Sequence, residues 1–177
     1  AHDLRQFAAA LLGQRRHRHA QQVALGRPAS VISLALLCTF LVGRQGSAMS
    51  LPLLLIAIRS RVGTRRMRRH AFVEMVMPRE YLDTVDRDAL CEGLQGLFGR
   101  DLADQPPILM QQVKAMSKFD ASRRLHALAH IPTLVLSASQ DLIARPEYGR
   151  ALAGAIPGSR FVEIAGAGHA VTIQCAG

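Results

Sequence analysis

Ile131-Pro-Thr-Leu-Val-Leu-Ser-Ala-Ser-Gln-Asp141 and Arg160-Phe-Val-Glu-Ile-Ala-Gly-Ala-Gly-His-Ala170 are the two stretches whose reading decides the fold. Each contains an apolar run, at 132–136 and 161–164, of strand length. Each run ends in a loop of small residues that presents one titratable group, Asp141 in the first and His169 in the second. Between them, residues 146–156 have a helical pattern, with Tyr148, Leu152 and Ala155 on one face. Strand, loop, helix, strand, loop predicts a βαβ unit with a parallel pair of strands. Both loops then open on the carboxyl edge of the sheet, where such sheets bind ligands. An acid and a histidine at neighbouring strand ends are placed to hydrogen-bond. That is the orienting half of a nucleophilic triad.

The 177 residues suffice for one domain with a sizeable core, and 49% of them are hydrophobic, which excludes a disordered chain. The formal net charge is +9, and the only lysines are Lys114 and Lys118, so the basicity is that of arginine. Charge alone attracts anions without naming a partner; no nucleic-acid recognition motif accompanies it, and no nucleic-acid partner is expected. Cys38, Cys91 and Cys175 are far apart and odd in number, with no Cys-x-x-Cys pair, as befits reduced thiols. The opening Ala-His-Asp-Leu-Arg-Gln does not read as a signal peptide, and the apolar run at 31–42 is too short for a membrane span. The expectation is a cytoplasmic protein with no membrane partner.

Working outward, residues 4–12 predict a helix capped by Asp3, and residues 19–25 a second one that ends at Gly26-Arg27-Pro28. Residues 14–19, Gln-Arg-Arg-His-Arg-His, hold no apolar side chain and exclude a buried strand. Residues 30–37 predict a buried strand with Cys38 at its carboxyl end. From 48 to 117 the pattern is helical, over 51–58, 72–77, 86–98 and 108–116, and all six methionines fall in this region. Methionine packs irregular helix contacts and suits variable apolar ligands. Arg65, Arg66, Arg68 and Arg69 read either as an anion site or as the wet side of a helix; Asp101 and Asp104 read as loop and capping acids. His126 and His130, four apart, share a face if helical, but no third metal ligand accompanies them. Gly93 and Gly96 have neither the spacing nor the preceding strand of a phosphate loop.

The sequence resembles the α/β-hydrolase family. The matching residues are Ile-Pro-Thr-Leu-Val-Leu at 131–136, Asp141, Pro146, Ala-Ile-Pro-Gly at 155–158 and Ala-Gly-His at 167–169. Residues 20–40 resemble the segment that follows the nucleophile: a short helix, an Arg-Pro turn and the strand Val-Ile-Ser-Leu-Ala-Leu-Leu. The resemblance implies an α/β fold, a partial α/β-hydrolase sheet of mostly parallel strands with a helical cap insertion. It implies one domain, with core segments 1–47 and 118–177 and a cap at 48–117. It is nearest to capped esterases, lactonases and carbon–carbon bond hydrolases. It further implies Asp141 as the acid and His169 as the base of an acyl-transfer site for a small acyl substrate, with no cofactor and no metal.

The Gly-x-Ser-x-Gly elbow that carries the family's nucleophile is nowhere in the sequence. Where the resemblance would place it stands the arginine- and histidine-rich 14–19. Ser30 and Ser33 fall at or in the predicted strand, Ser47 and Ser50 before the helical region, and Ser137 and Ser139 in the acid's loop. None is on a strand-to-helix turn. Cys38 is the best chemical substitute but occupies the strand after the usual one. The expectations are therefore a truncated or impaired hydrolase with Asp141 and His169 as surviving acid and base, or a non-catalytic remnant or binding protein with an apolar cap and a basic surface. With upstream strands absent, sheet edges at 31–37 and 133–136 are expected to be exposed, and self-association through them to follow.

Overall fold

The structure, a computed structural model, describes residues 14–47, 50–106 and 108–175. The helix expected over 4–12 lies outside them. Helix α1 (Gln14–Gly26) leads through a 3-10 turn at Pro28–Ser30 into strand β1 (Leu34–Leu37). Five helices follow: α2 (Gly43–Ser47), α3 (Leu51–Arg59), α4 (Arg65–Val76), α5 (Arg79–Leu82) and α6 (Arg87–Phe98). Helix α7 (Leu109–Ser117) and a 3-10 segment, Leu125–Leu128, lead back to β2 (Thr133–Ala138). Then come α8 (Pro146–Gly154), β3 (Arg160–Ile164) and α9 (Val171–Gln174). No described helix is long and apolar enough to cross a membrane.

The strands form one parallel sheet in the order β1-β2-β3, with Leu36 opposite Val135, and Val135 opposite Phe161. The βαβ unit read from 131–170 is present, and β2 is the middle strand. This corrects one expectation: residues 133–136 are no exposed edge, since β2 pairs on both sides. The strand predicted over 30–37 is also shorter. Pro28 sets a 3-10 turn, Ile32 is 93% exposed, and only Leu34–Leu37 enters the ladder. Ser30 and Ser33 thus precede the strand. Helix α1, by contrast, starts earlier than predicted, because the polar 14–19 are compatible with a helix although they exclude a buried strand.

Three apolar clusters hold the layers. Leu34, Leu36 and Val135 of the sheet pack with Ala24 of α1, Leu152 of α8, Leu125, Leu128 and Ile156. Helix α8 comes so close to β2 that a Cβ at Gly149 would stand 1.9 Å from Ser137 Oγ. Cys38, Phe40, Met116, Ala138, Ala144, Ala167 and Val171 form the second cluster, at the carboxyl edge. Helix α7 packs against α1 and α2, so Met116 is a core residue of the sheet region. The third cluster, Val73, Met77, Leu82, Cys91, Leu94 and Leu102, joins α4, α5 and α6, and it includes Ala170 from the loop after β3. Ala170 N also donates to Val76 O at 2.8 Å. The helical segment is thereby pinned to the histidine loop.

The arginines of α4 are mostly paired. Arg65 and Arg69 both reach Asp101, Arg65 also reaches Asp104, and Arg66 shares Asp88 with His70. Asp101, first through Arg69, and Asp88, first through Arg66, are held well below the usual carboxylate range. The two readings of the arginine cluster resolve in favour of a solvated helix face, tied to the 86–104 region by ion pairs. Asp101 is a loop acid as well, accepting from Ala103 N. His126 and His130 are both exposed and do not share a helical face. The 3-10 segment has about three residues per turn and ends at Leu128, before His130.

Candidate active site

Parallel pairing puts the carboxyl ends of β1, β2 and β3 side by side, and each is followed by one reactive side chain: Cys38, Asp141 and His169. The turn after β2 is small because Ser139 and Gln140 bond across to the next loop. Ser139 N donates to Ile164 O, Gln140 N donates to Ala167 O, and Ser139 Oγ accepts from Gly166 N. These bonds lock the acid loop to the histidine loop.

Asp141 is 3% exposed, and both of its carboxylate oxygens are engaged. Oδ1 accepts from Ile143 N at 2.7 Å and from Ala144 N at 2.8 Å, capping the turn before α8. Oδ2 lies 2.8 Å from His169 Nδ1. Burial opposes the charged carboxylate, but the positive charge and hydrogen bond of His169, with the two backbone donors, outweigh it. The carboxyl therefore titrates below its ordinary value. In the neutral form of the imidazole, an Nδ1–H donated to the ionised acid leaves on Nε2 the lone pair that a base uses. The His169 side chain is 14% exposed.

The depressed pKa fixes the sign of a pH effect. The stabilisation from this pair is full above the unfolded carboxyl value, about 3.9, and is lost as pH falls through the lower folded value. Urea unfolding of the wild type and Asp141→Asn is expected to show a stability gap that is present at about pH 5 and narrows below about 4. A gap that fails to narrow as pH falls below about 4 would contradict this assignment.

Cys38 stands at φ 45°, a left-handed backbone that non-glycine residues seldom adopt. Its thiol is buried, and burial, followed by the neighbouring Asp141 carboxylate, raises its pKa far above the ordinary value. It is therefore a neutral thiol beside the acid, a poor nucleophile as it stands. Sequence reading placed Cys38 at the strand end but missed its approach to Asp141. The signal was available in the parallel order of the strands. The serine candidates fare no better. Ser137 lies inside β2 rather than in the loop, with its Oγ buried and unpartnered. Ser139 holds Gly166, and Ser50 caps α3 through Leu53 N. The side chain of Ser47 lies outside the described residues.

A cleft of about 1030 Å³ opens between the helical segment and the acid loop. Leu55, Ile56, Met75, Met77 and Leu82 give it an apolar wall, and the ion-paired Arg59, Arg79, Arg87 and Arg145, with Glu74 and Glu147, a charged one; Asp141 and Ser139 also line it. The Asp141 side chain is wholly inaccessible and that of His169 is 14% exposed, so of the pair it is the histidine that solvent reaches, although His169 is not among the wall residues.

The profile of the alpha/beta hydrolase fold family matches residues 19–174. The chain belongs to the alpha/beta hydrolase family. Among named relatives, the Klebsiella pneumoniae protein that carries the provisional name carbamate hydrolase RutD is 42% identical over 65 residues, which are 37% of this chain and 24% of that protein. The enol-lactonase of Burkholderia xenovorans is a structural neighbour, with a TM-score of 0.62 and 22% identity over 89% of this chain and 56% of that one. An acetylester hydrolase of Corynebacterium glutamicum superposes with a TM-score of 0.60 and 16% identity, over 91% and 54%. The chain thus spans little more than half the length of these solved structures, and the matched stretch is a quarter of RutD. At such identities the structural neighbours show the fold alone.

Proposed function

We propose that this alpha/beta hydrolase chain carries the acid–base half of an acyl-hydrolase site. Asp141 orients His169, and His169 is the base for esters or related acyl compounds, among which the names of similar proteins include carbamates and lactones. The observation that carries this reading is the 2.8 Å contact between His169 Nδ1 and the buried Asp141, made between loops that follow adjacent parallel strands. In the proposed role the helical region 48–117 is a cap. The cleft beneath it receives the apolar part of the substrate.

The proposed activity is impaired in this chain. A base needs a nucleophile on a strand-to-helix turn, and no described serine occupies one. The same fact favours a second reading, a binding protein that keeps the cleft without turnover.

A fluorophosphonate probe and an activated ester test both. No serine is expected to be labelled, and ester turnover is expected to be slow and to fall by about 100-fold or more in His169→Ala, the scale of lost base catalysis. Turnover that His169→Ala leaves unchanged overturns the role of the pair. Strong labelling of one serine, lost in His169→Ala, overturns the impairment. Absence of all turnover, with an apolar ligand still bound in the cleft, selects the second reading.

A further inference from the structure

We propose that Cys38, Asp141 and His169 form a three-ligand site for zinc. A thiol sulfur, a carboxylate oxygen and an imidazole nitrogen, one from the end of each strand, all lie within 4.8 Å of one another. Cys38 and Asp141 are buried and His169 is nearly so, which separates this cluster from the exposed acids that gather on any surface.

The donor set selects the ion. Calcium and magnesium take oxygen ligands, whereas a mixed sulfur, nitrogen and oxygen set suits zinc. Tetrahedral zinc, with bonds of about 2.3 Å to sulfur and about 2.0 Å to nitrogen or oxygen, holds its donors roughly 3.3–3.6 Å apart. The Asp141–His169 contact of 2.8 Å must therefore open by about half an ångström, and the sulfur must close by at most about 1.2 Å, both within side-chain adjustment. Three protein ligands leave a fourth position open.

Zinc also resolves a conflict between the groups. In the metal-free site the thiol must stay protonated beside a carboxylate. Zinc replaces the thiol proton, which goes to solvent, and the His169 proton moves from Nδ1 to Nε2 if Nδ1 is the ligand. Occupancy and acid–base action of His169 on a substrate are then mutually exclusive. The zinc site does not rest on the hydrolase reading, since it needs the three ligands and no nucleophile.

The test uses the full, untagged chain, freed of metal and titrated at neutral pH with cobalt(II) as a spectroscopic substitute for zinc. One cobalt per chain is expected to bind, with visible bands of tetrahedral intensity and a thiolate-to-cobalt charge-transfer band, all removed by zinc and unaffected by magnesium. Cys38→Ser should abolish the charge-transfer band, Cys175→Ser should retain it, and His169→Ala should weaken binding by at least about tenfold. Should Cys38→Ser fail to fold, X-ray absorption of the zinc-loaded wild type decides: one sulfur at about 2.3 Å with nitrogen and oxygen neighbours is expected. No charge-transfer band in the folded wild type overturns the site. So does a band unchanged in Cys38→Ser, or a zinc shell without sulfur.

Discussion

Asp141→Ala is expected to lower the unfolding free energy by about 3–5 kcal/mol. The side chain is wholly inaccessible and makes three hydrogen bonds at once. Truncation leaves the N–H groups of Ile143 and Ala144 without their acceptor, and each buried orphan costs about 1–3 kcal/mol. It also leaves His169 Nδ1 without its partner. Since small domains are stable by only about 5–15 kcal/mol, a loss of this size is a large share of the total. The expected pattern in urea titrations is a lower midpoint with an unchanged slope, because the change lies in one loop rather than in overall compactness. Asp141→Asn keeps an oxygen for the two backbone donors and should cost less than half as much. Equal losses in the two variants would show that the charge, and not the capping geometry, holds the loop.

The second large effect comes from a residue with no side chain. Gly168 lies against the end of α4, where an added Cβ would stand 2.7 Å from Val76 O, 2.8 Å from Pro78 Cδ and 3.1 Å from Met77 Cα. These are backbone and ring atoms, so none can turn aside. Gly168→Ala must therefore push the histidine loop and the helical segment apart. The movement would strain the Ala170 N to Val76 O bond and pull His169 from Asp141. The expected cost is about 2–3 kcal/mol, at the upper end for an overpacked site. Its signature is local: faster hydrogen exchange at the Ala170 amide and a changed imidazole Nδ1 resonance for His169. A variant of wild-type stability with both signals unmoved would mean that the helical segment does not buttress this loop.

These two expectations show how differently the parts of the site could be read from sequence. Asp141 and His169 were legible because each follows a short apolar run and a loop of small residues, and that local pattern places both at strand ends. Their contact follows once the strands are taken as parallel neighbours. Gly168 was legible only as part of the Ala-Gly-His signature. Its reason for being glycine is the approach of Val76, Met77 and Pro78, some ninety residues earlier in the chain. The arginines of α4 could not be assigned from sequence, because their charge says nothing of Asp88, Asp101 and Asp104 arriving from another segment.

Local pattern by itself determined the βαβ unit, the acid, the histidine and most of the helices. Periodicity and turn chemistry act over a few residues and are written in consecutive positions. The central place of β2 was a tertiary decision, because strand order depends on which edges find partners. The ion pairing of α4, the anchoring of the histidine loop by Val76 and the meeting of Cys38 with the acid–histidine pair were decided in the same way. Each joins residues far apart in the chain, and only the packed sheet and its helical segment bring them within bonding distance.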